Sequence, residues 1–449
     1  MEEKNDLEII KELLETKQYT SLRQKMADMN EADVASCMEE LEEKDLMKIF
    51  RILPKDMAAD VFSYLEVDSQ QYIITAMSER DAASIIDNLM ADDATDLLEE
   101  MPANIVKRIL ANAKAETRRD INHLLRYPED SAGSIMTVEY VDLKESMTVA
   151  DAVSRIRQRG VDSETINICY VIDANRKLVG TVALRYLLIS PEDAIIGEIM
   201  HENVIYINTL MDQEEVTRQF QKYDFTAMPV VDNEERLVGI ITVDDIVDIM
   251  EEEATEDMEK MAAIIPSDKP YLRTTVFETW KQRMPWLLLL MVSATLTGSI
   301  ITKFEDALSK MAILVAYLPM LMDTGGNAGG QASVTIIRGL SLGEIEYKDV
   351  IKVIWKEARV AILCGVTLAV ANFAKLMLLD QIPVPVAIVV CLTLVCAVII
   401  AKFIGCTLPV LAKRIGFDPA VMASPFITTI VDVISLLVYF AIATSVLGL

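Results

Sequence analysis

The chain has 449 residues, 52% of them hydrophobic and 25% charged, with 69 acidic residues against 42 basic ones. That length predicts several domains, and a net charge of −27 excludes nucleic acid as a partner, since phosphate binding needs a basic surface. Six cysteines with no CxxC pair, and two histidines far apart, His123 and His201, exclude a disulfide framework, a zinc site and a His-based metal centre.

Hydrophobicity and charge occupy different segments. From Tyr271 onward there are 14 Lys and Arg and 11 Asp and Glu, so subtraction from 42 and 69 leaves 28 basic and 58 acidic residues before it. The excess of acid lies in the polar N-terminal part, which suits a cation partner or a well-solvated surface. The first residues, MEEKNDLEII, lack the basic and apolar regions of a signal peptide, so this part is expected to stay in the cytoplasm.

Residues from about 5 to 128 read as helix, with regular Leu, Ile, Met and Ala positions. Met29 and Asn30, Leu53 and Pro54, Met77 and Ser78, and Met101 and Pro102 recur every 24 residues, each pair opening a short helix. Asn, Ser and Pro are ordinary helix-starting residues. Repeated pairs of short helices predict a small α-solenoid over residues 1–130. In ADDATDLLEEMP, Asp92 and Asp96 sit at i and i+4 on one face, for which a solvated acidic surface is the plain reading.

Two similar units follow over 131–250, opening with GSIMT and GEIMH. Each runs strand, amphipathic helix, strand (CYVID or AMPVVD), turn, strand (LVGTVAL or LVGIITV) and helix. The order IMT or IMH, a strand ending in Asp173 or Asp232, then LVG at 178–180 or 237–239, resembles a tandem CBS domain pair. Such pairs are sensory or dimerising modules, not catalysts, and commonly bind adenine nucleotides through an acid near the end of the last strand. The matching position holds Asp245, with Thr242 before it, in the second unit but Tyr186 in the first. The resemblance therefore implies at most one conventional ATP site.

Nothing from Asp244 to Ala263 breaks a helix, and Asp245, Asp248, Glu252, Glu256 and Glu259 follow three- and four-residue steps. Like charges at that spacing destabilise an isolated helix. The face is either a solvated linker or a surface that needs bound cations to pack. Pro266 and Pro270 are expected to end it.

The remainder reads as five membrane spans, near 284–302, 307–337, 351–379, 384–411 and 419–447. Arg273, Lys281, Arg283, Arg338, Lys348, Lys352, Lys356, Lys402, Lys413 and Arg414 gather on one side, and Lys303, Lys310 and Lys375 on the other. The positive-inside rule then puts the N-terminal part inside and the C-terminus outside. The second span carries LPMLMDTGGNAGGQ, in which Gly325, Gly326, Gly329 and Gly330 are expected to break the helix. Small residues that let helices approach closely are the simpler cause. Asp323, Asn327 and Gln331 add polar groups there.

The last span, within DPAVMASPFITTIVDVISLLVYFAIATSVLGL, carries Asp432 near its middle. A charge at the bilayer centre costs at least about 2.5–3.5 kcal/mol and so faces a partner or a watery path. Ser424, Thr428, Asp432 and Ser435 share one helical face. On a continued helix Asp418 falls on nearly the same face, about 21 Å away. The stripe reads as the lining of a cation pathway, with a buried Asp satisfied by a neighbouring helix as the alternative.

PxxxDTGGNAGxQ from Pro319 to Gln331 and DPAxxxSPxxTTxxD from Asp418 to Asp432 join the CBS pair, the acidic helix and the five spans. Together they resemble the MgtE family of magnesium channels over essentially the whole chain. The resemblance implies a multidomain membrane protein: a helical solenoid (1–130), a CBS pair (131–250), an acidic plug helix (251–272) and a five-helix transmembrane pore (273–449). It implies a homodimer in the cytoplasmic membrane that takes up Mg²⁺ and is closed by cytosolic Mg²⁺. Asp432, Asp418, Thr428 and Asn327 would meet the permeating ion. Asp92, Asp96, Asp212, Glu214, Asp224, Asp245, Asp248, Glu253, Glu256 and Asp257 would bind regulatory Mg²⁺. The residues alone leave open an ion-coupled cation transporter and a CBS-regulated channel for another ion. An intramembrane enzyme would need a nucleophile–base pair or an HExxH centre, and neither is present.

Overall fold

Asn30 and Ser78 start their helices as the 24-residue period predicts, accepting backbone N–H groups from Ala32 and Asp81 respectively. Pro102 precedes the helix Ala103–Asn112 in the same way. The second repeat differs: the helix after Pro54 begins only at Ala58. In this computed structural model every residue is described except Met1, Lys55, Asp56, Asp268, Pro270, Ala423 and Leu449. Pro270, expected to help end the acidic helix, thus lies outside the described residues. In the solenoid, helices two apart in sequence stack, such as Glu31–Glu39 on Ala58–Ser63 and Ala91–Glu99 on Ala115–Leu124. Their apolar stripes form one core through Leu22, Met26, Ile49, Phe62, Ile73 and Ile86.

Two three-stranded sheets follow. β1 (Tyr140–Lys144) runs parallel to β2 (Thr165–Ile172), which is antiparallel to β3 (Leu178–Ala183). β4 (Ile207–Asn208), β5 (Ala227–Val231) and β6 (Leu237–Thr242) repeat that order. The units are not self-contained, because each lends its opening motif to the other. Thr137 of the first exchanges backbone hydrogen bonds with Ile240 of β6, and His201 of the second with Thr181 of β3. The exchange explains the LVG glycines. A Cβ on Gly239 would lie 2.6 Å from the sulfur of Met136, and one on Gly180 2.5 Å from that of Met200.

The chain divides into two compact units, Met1–Val247 and Asp248–Leu449. The acidic helix, Val243–Met261, runs across the division. It stops before Pro266, where Ala263 takes left-handed backbone (φ 56°).

Among the described residues four helices are long and apolar enough to cross a bilayer: Val276–Lys303, Tyr347–Leu378, Val384–Arg414 and Pro419–Leu447. The expected second span falls short of that apolarity and is not one helix. It comprises Glu305–Lys310, a 3₁₀ segment Ala312–Tyr317 and the helix Leu318–Ser341. Nor do the glycines break the last of these, which is helical throughout its 24 residues. Their role is close approach, the simpler cause. A Cβ on Gly326 would lie 2.8 Å from Thr428 Cγ2, and one on Gly329 2.8 Å from Ile427 Cγ2. A Cβ on Gly405 would collide with the Gly329 carbonyl oxygen. Asp418 also departs from expectation, standing outside the final helix, which begins at Ser424 after a 3₁₀ turn over Pro419–Met422.

Within this unit Lys402 Nζ lies 3.2 Å from Glu357 Oε2, with side chains only 8% and 13% exposed. Lys402 is therefore a helix-to-helix tie, not simply a membrane-edge charge. Removing one member leaves a buried charge alone, at a cost of about 3–5 kcal/mol, whereas removing both can be neutral. Glu357→Met and Lys402→Met are each expected to lower the unfolding temperature in detergent, and the double variant to recover most of the loss. Gly405→Leu should also destabilise, by about 1–3 kcal/mol from overpacking. Gly298→Ala, with nothing within 4 Å of the new carbon, should not.

Candidate cation site

In the second unit the glycine-rich helix Leu318–Ser341 lies along the final helix Ser424–Leu447. Gly325 faces Val431 and Ser435, and Gly326 faces Thr428. This brings Asp432, Thr428 and Ser435 against the helix that carries Asp323 and Asn327. The Asp323 and Asp432 carboxylates are electrostatic neighbours. Asp432 Oδ1 and Ser435 Oγ are buried without a hydrogen-bond partner. Asp323, Asn327 and Gln331, four residues apart, form an exposed polar row. The side chain of Ser424 lies outside the described residues.

Asp418 precedes the final helix, next to the 3₁₀ turn. Its Oδ1 accepts the Ala420 N–H at 2.8 Å, capping the 3₁₀ turn, and its Oδ2 accepts from Lys260 Nζ at 2.6 Å. Asp257, on the same acidic helix as Lys260, accepts from Ser341 Oγ at 3.2 Å. Burial, then the Asp418 charge, holds the Asp257 carboxyl above its ordinary range.

The first unit has its own acidic cluster. Asp92 is buried, and burial followed by the charges of Asp245 and Asp93 pushes its carboxyl well up. Burial raises Glu139 as well, against hydrogen bonds from Thr137 Oγ1 and the Val138 N–H. Glu164, pushed up to about 7, feels burial first and then Asp244 and Asp245. Asp96, expected to share the Asp92 face, is instead exposed. Among the described residues no three such side chains converge in metal-ligating geometry. The cluster is an electrostatic one. Glu139, Glu164 and Lys260 were missed by sequence reasoning. Glu139 offered a faint signal, as an acid beside a strand otherwise patterned for burial, and Lys260 another, as the sole base among the nine acids of Val243–Met261.

Other expected residues have local roles. Asp245 Oδ2 accepts from Thr242 Oγ1 at 2.8 Å and from the Thr242 N–H at 3.4 Å, which starts the acidic helix. Asp212 caps Gln213–Tyr223 by accepting the Glu214 N–H at 3.0 Å, and Glu214 pairs with Arg218 at 3.5 Å. Asp224 ends that helix in left-handed backbone (φ 53°). The structure does not bring Asp224 together with Asp212 and Glu214, since a helix of about 16 Å separates them.

A paired three-stranded-sheet module followed by long apolar helices that carry a buried carboxylate defines a multi-pass membrane transport protein. Family models match three stretches: divalent cation transporter, MgtE, over 318–442; MgtE intracellular N domain over 29–130; and CBS domain over 132–191 and 196–252. The magnesium transporter MgtE of Thermus thermophilus is 36% identical over 99% of this chain and 98% of its own. That of Bacillus subtilis is 35% identical over 92% and 94%. A crystal structure of the soluble part of a magnesium transporter matches 56% of this chain and 99% of its own, with 31% identity and a TM-score of 0.53. The cytosolic domain of the Mg²⁺ channel MgtE in complex with ATP matches 54% and 98%, with 36% identity and a TM-score of 0.51. The chain belongs to the MgtE family, and so to transporters and not enzymes.

The raised carboxyls fix a pH dependence. A carboxyl raised in the folded state favours folding below its unfolded pKa, and that contribution is lost as pH rises through the folded value. For this cluster the window runs from the ordinary carboxylate range up to about 7. In chelator, the first unit should unfold at a lower temperature at pH 8 than at pH 5.5. Millimolar Mg²⁺ should shrink the difference, as read by calorimetry, and Glu164→Gln should shrink it without Mg²⁺.

Proposed function

We propose that this protein is a homodimeric Mg²⁺ channel of the cytoplasmic membrane, with its N-terminal half in the cytosol and its C-terminus outside. The permeating ion is the substrate. It passes between two copies of the Leu318–Ser341 and Ser424–Leu447 helices, Asp432 facing it at mid-depth with Thr428 and Asn327, and Asp418 standing at the inner mouth. The observation that carries this reading is Asp432, mid-helix, with a buried and unpartnered Oδ1 and a second carboxylate, Asp323, as its neighbour. A carboxylate so placed is costly unless a cation or water meets it. The exposed row of Asp323, Asn327 and Gln331 is unsuited to lipid, and supports a wet path between copies. Mg²⁺ sheds its water reluctantly and suits one or two carboxylates with retained waters.

Closure is the second half of the reading. Cytosolic Mg²⁺ binds at Asp92, Asp96, Asp212, Glu214, Asp224, Asp245, Asp248, Glu253, Glu256 and Asp257 and relieves repulsion between acidic surfaces. It thereby favours the closed arrangement, which is negative feedback by the transported ion. The strongest support is the carboxyl cluster around Asp92 and Asp245. ATP is a second ligand to test on the CBS pair, where Asp245 is already engaged by Thr242.

The test is Mg²⁺ influx into liposomes carrying the full chain and an internal Mg²⁺ indicator. Asp432→Asn is expected to lose at least about tenfold of the flux, the equivalent of 1.4 kcal/mol. Wild-type influx should fall as internal Mg²⁺ rises through the millimolar range. Full flux in Asp432→Asn would remove the pathway, and flux that follows an imposed proton or sodium gradient would indicate a coupled transporter.

A further inference from the structure

The acidic helix carries nine acidic residues and one base, Lys260, in its last turn. A cation there also suits the negative end of the helix dipole. Lys260 Nζ lies 2.5 Å from Glu256 Oε1 and 2.6 Å from Asp418 Oδ2. Its side chain is only 21% exposed, so this is not a free surface pair. Burial works to lower the lysine pKa, but Asp418 and Glu256 outweigh it and the net shift is upward. Around the ammonium the helix end has a built seat. Met261 packs on Ile337 and Ala420, both fully buried, and Asp257 accepts from Ser341 Oγ. The following segment is fastened too, Ser267 donating its N–H to Glu259 Oε2 at 3.0 Å and Ile265 its N–H to the Gln282 carbonyl at 3.1 Å.

We infer that Lys260 is a tethered cation that latches the end of the acidic helix to Asp418 without any bound metal ion. The inference deepens the closure reading above and rests on it for its consequence in transport. Of the two Asp418 oxygens, one caps the turn at Ala420 and the other holds Lys260. A cation arriving at Asp418 therefore competes with the ammonium, and opening includes release of Lys260. The latch supplies a constant part of closure, and diffusible Mg²⁺ supplies the concentration-dependent part. Because the ammonium is attached to the helix it holds, it acts at high effective concentration.

The test uses the full chain as wild type, Lys260→Gln and Lys260→Arg. Hydrogen exchange of backbone amides over 251–262 is followed in chelator and in millimolar Mg²⁺. In chelator, Lys260→Gln should exchange several-fold faster than wild type, and Lys260→Arg, which keeps the charge, should stay close to wild type. In flux assays the Mg²⁺ concentration that half-closes Lys260→Gln should rise by about three- to tenfold, up to 1.4 kcal/mol. Identical exchange of wild type and Lys260→Gln in chelator would overturn the latch, as would equal loss in Lys260→Arg, which would mark a packing effect. Charge-dependent exchange together with wild-type flux indifferent to internal Mg²⁺ would uphold the latch while removing the closure reading.

Discussion

Like charge held close is the constraint on which this molecule turns. In the first unit Asp92 is buried within reach of Asp93 and Asp245. In the second, Asp257 lies near Asp418, and Asp323 near Asp432. A fold selected only for stability would place a base beside each pair or replace the acids with apolar residues, since buried ionic groups seldom stabilise. Of these sites, the one around Asp418 holds a basic side chain, Lys260. The arrangement stores repulsion that a diffusible cation can relieve.

The apolar scaffold makes that arrangement attainable. Polar side chains at membrane depth are tolerated where backbone and packing hold them in place. The small residues of Leu318–Ser341 let its backbone approach both the final helix and Val384–Arg414, with Gly326 against Thr428 and Gly405 against Gly329. The Lys402–Glu357 pair ties Val384–Arg414 to its other neighbour, and Lys413 donates to the Leu340 carbonyl at 2.9 Å. One helix is thus held on two sides, and its rotation sets the surface on which the glycine-rich helix rests. Side chains larger than hydrogen at 326 and 329 would push against the Asp432 helix, and one at 405 against the glycine-rich helix.

What could be read in the sequence follows from the range of each signal. The solenoid period, the strand patterns and the apolar runs are local, so the element order was legible. So was the special standing of Asp432, because an acid inside an apolar run is conspicuous without any partner. Relations between distant segments were not. The exchange of Thr137 and His201 between the two sheets leaves both local patterns unchanged. The glycines signal an unusual helix, but a break and a close contact have the same sequence signature. Only the positions of Thr428, Ile427 and the Gly329 carbonyl decide between them. Asp92 and Asp96 have equal claim to one helical face, yet the first is buried and the second exposed.

Lys260 shows how a charge pattern can hide a function in its exception. Read as a row, Val243–Met261 is an acidic face, and a single lysine at its end is an ordinary helix terminus. Placed against Asp418, the same lysine is a counter-ion that cannot diffuse away. Its strength must be limited for the arrangement to work. A deeply buried pair would resist any physiological ion concentration, whereas an exposed pair contributes only about 0.2–1 kcal/mol. At 21% and 35% exposure the pair lies between those limits. That is the range in which a tethered ammonium biases the helix toward its seat without fixing it there.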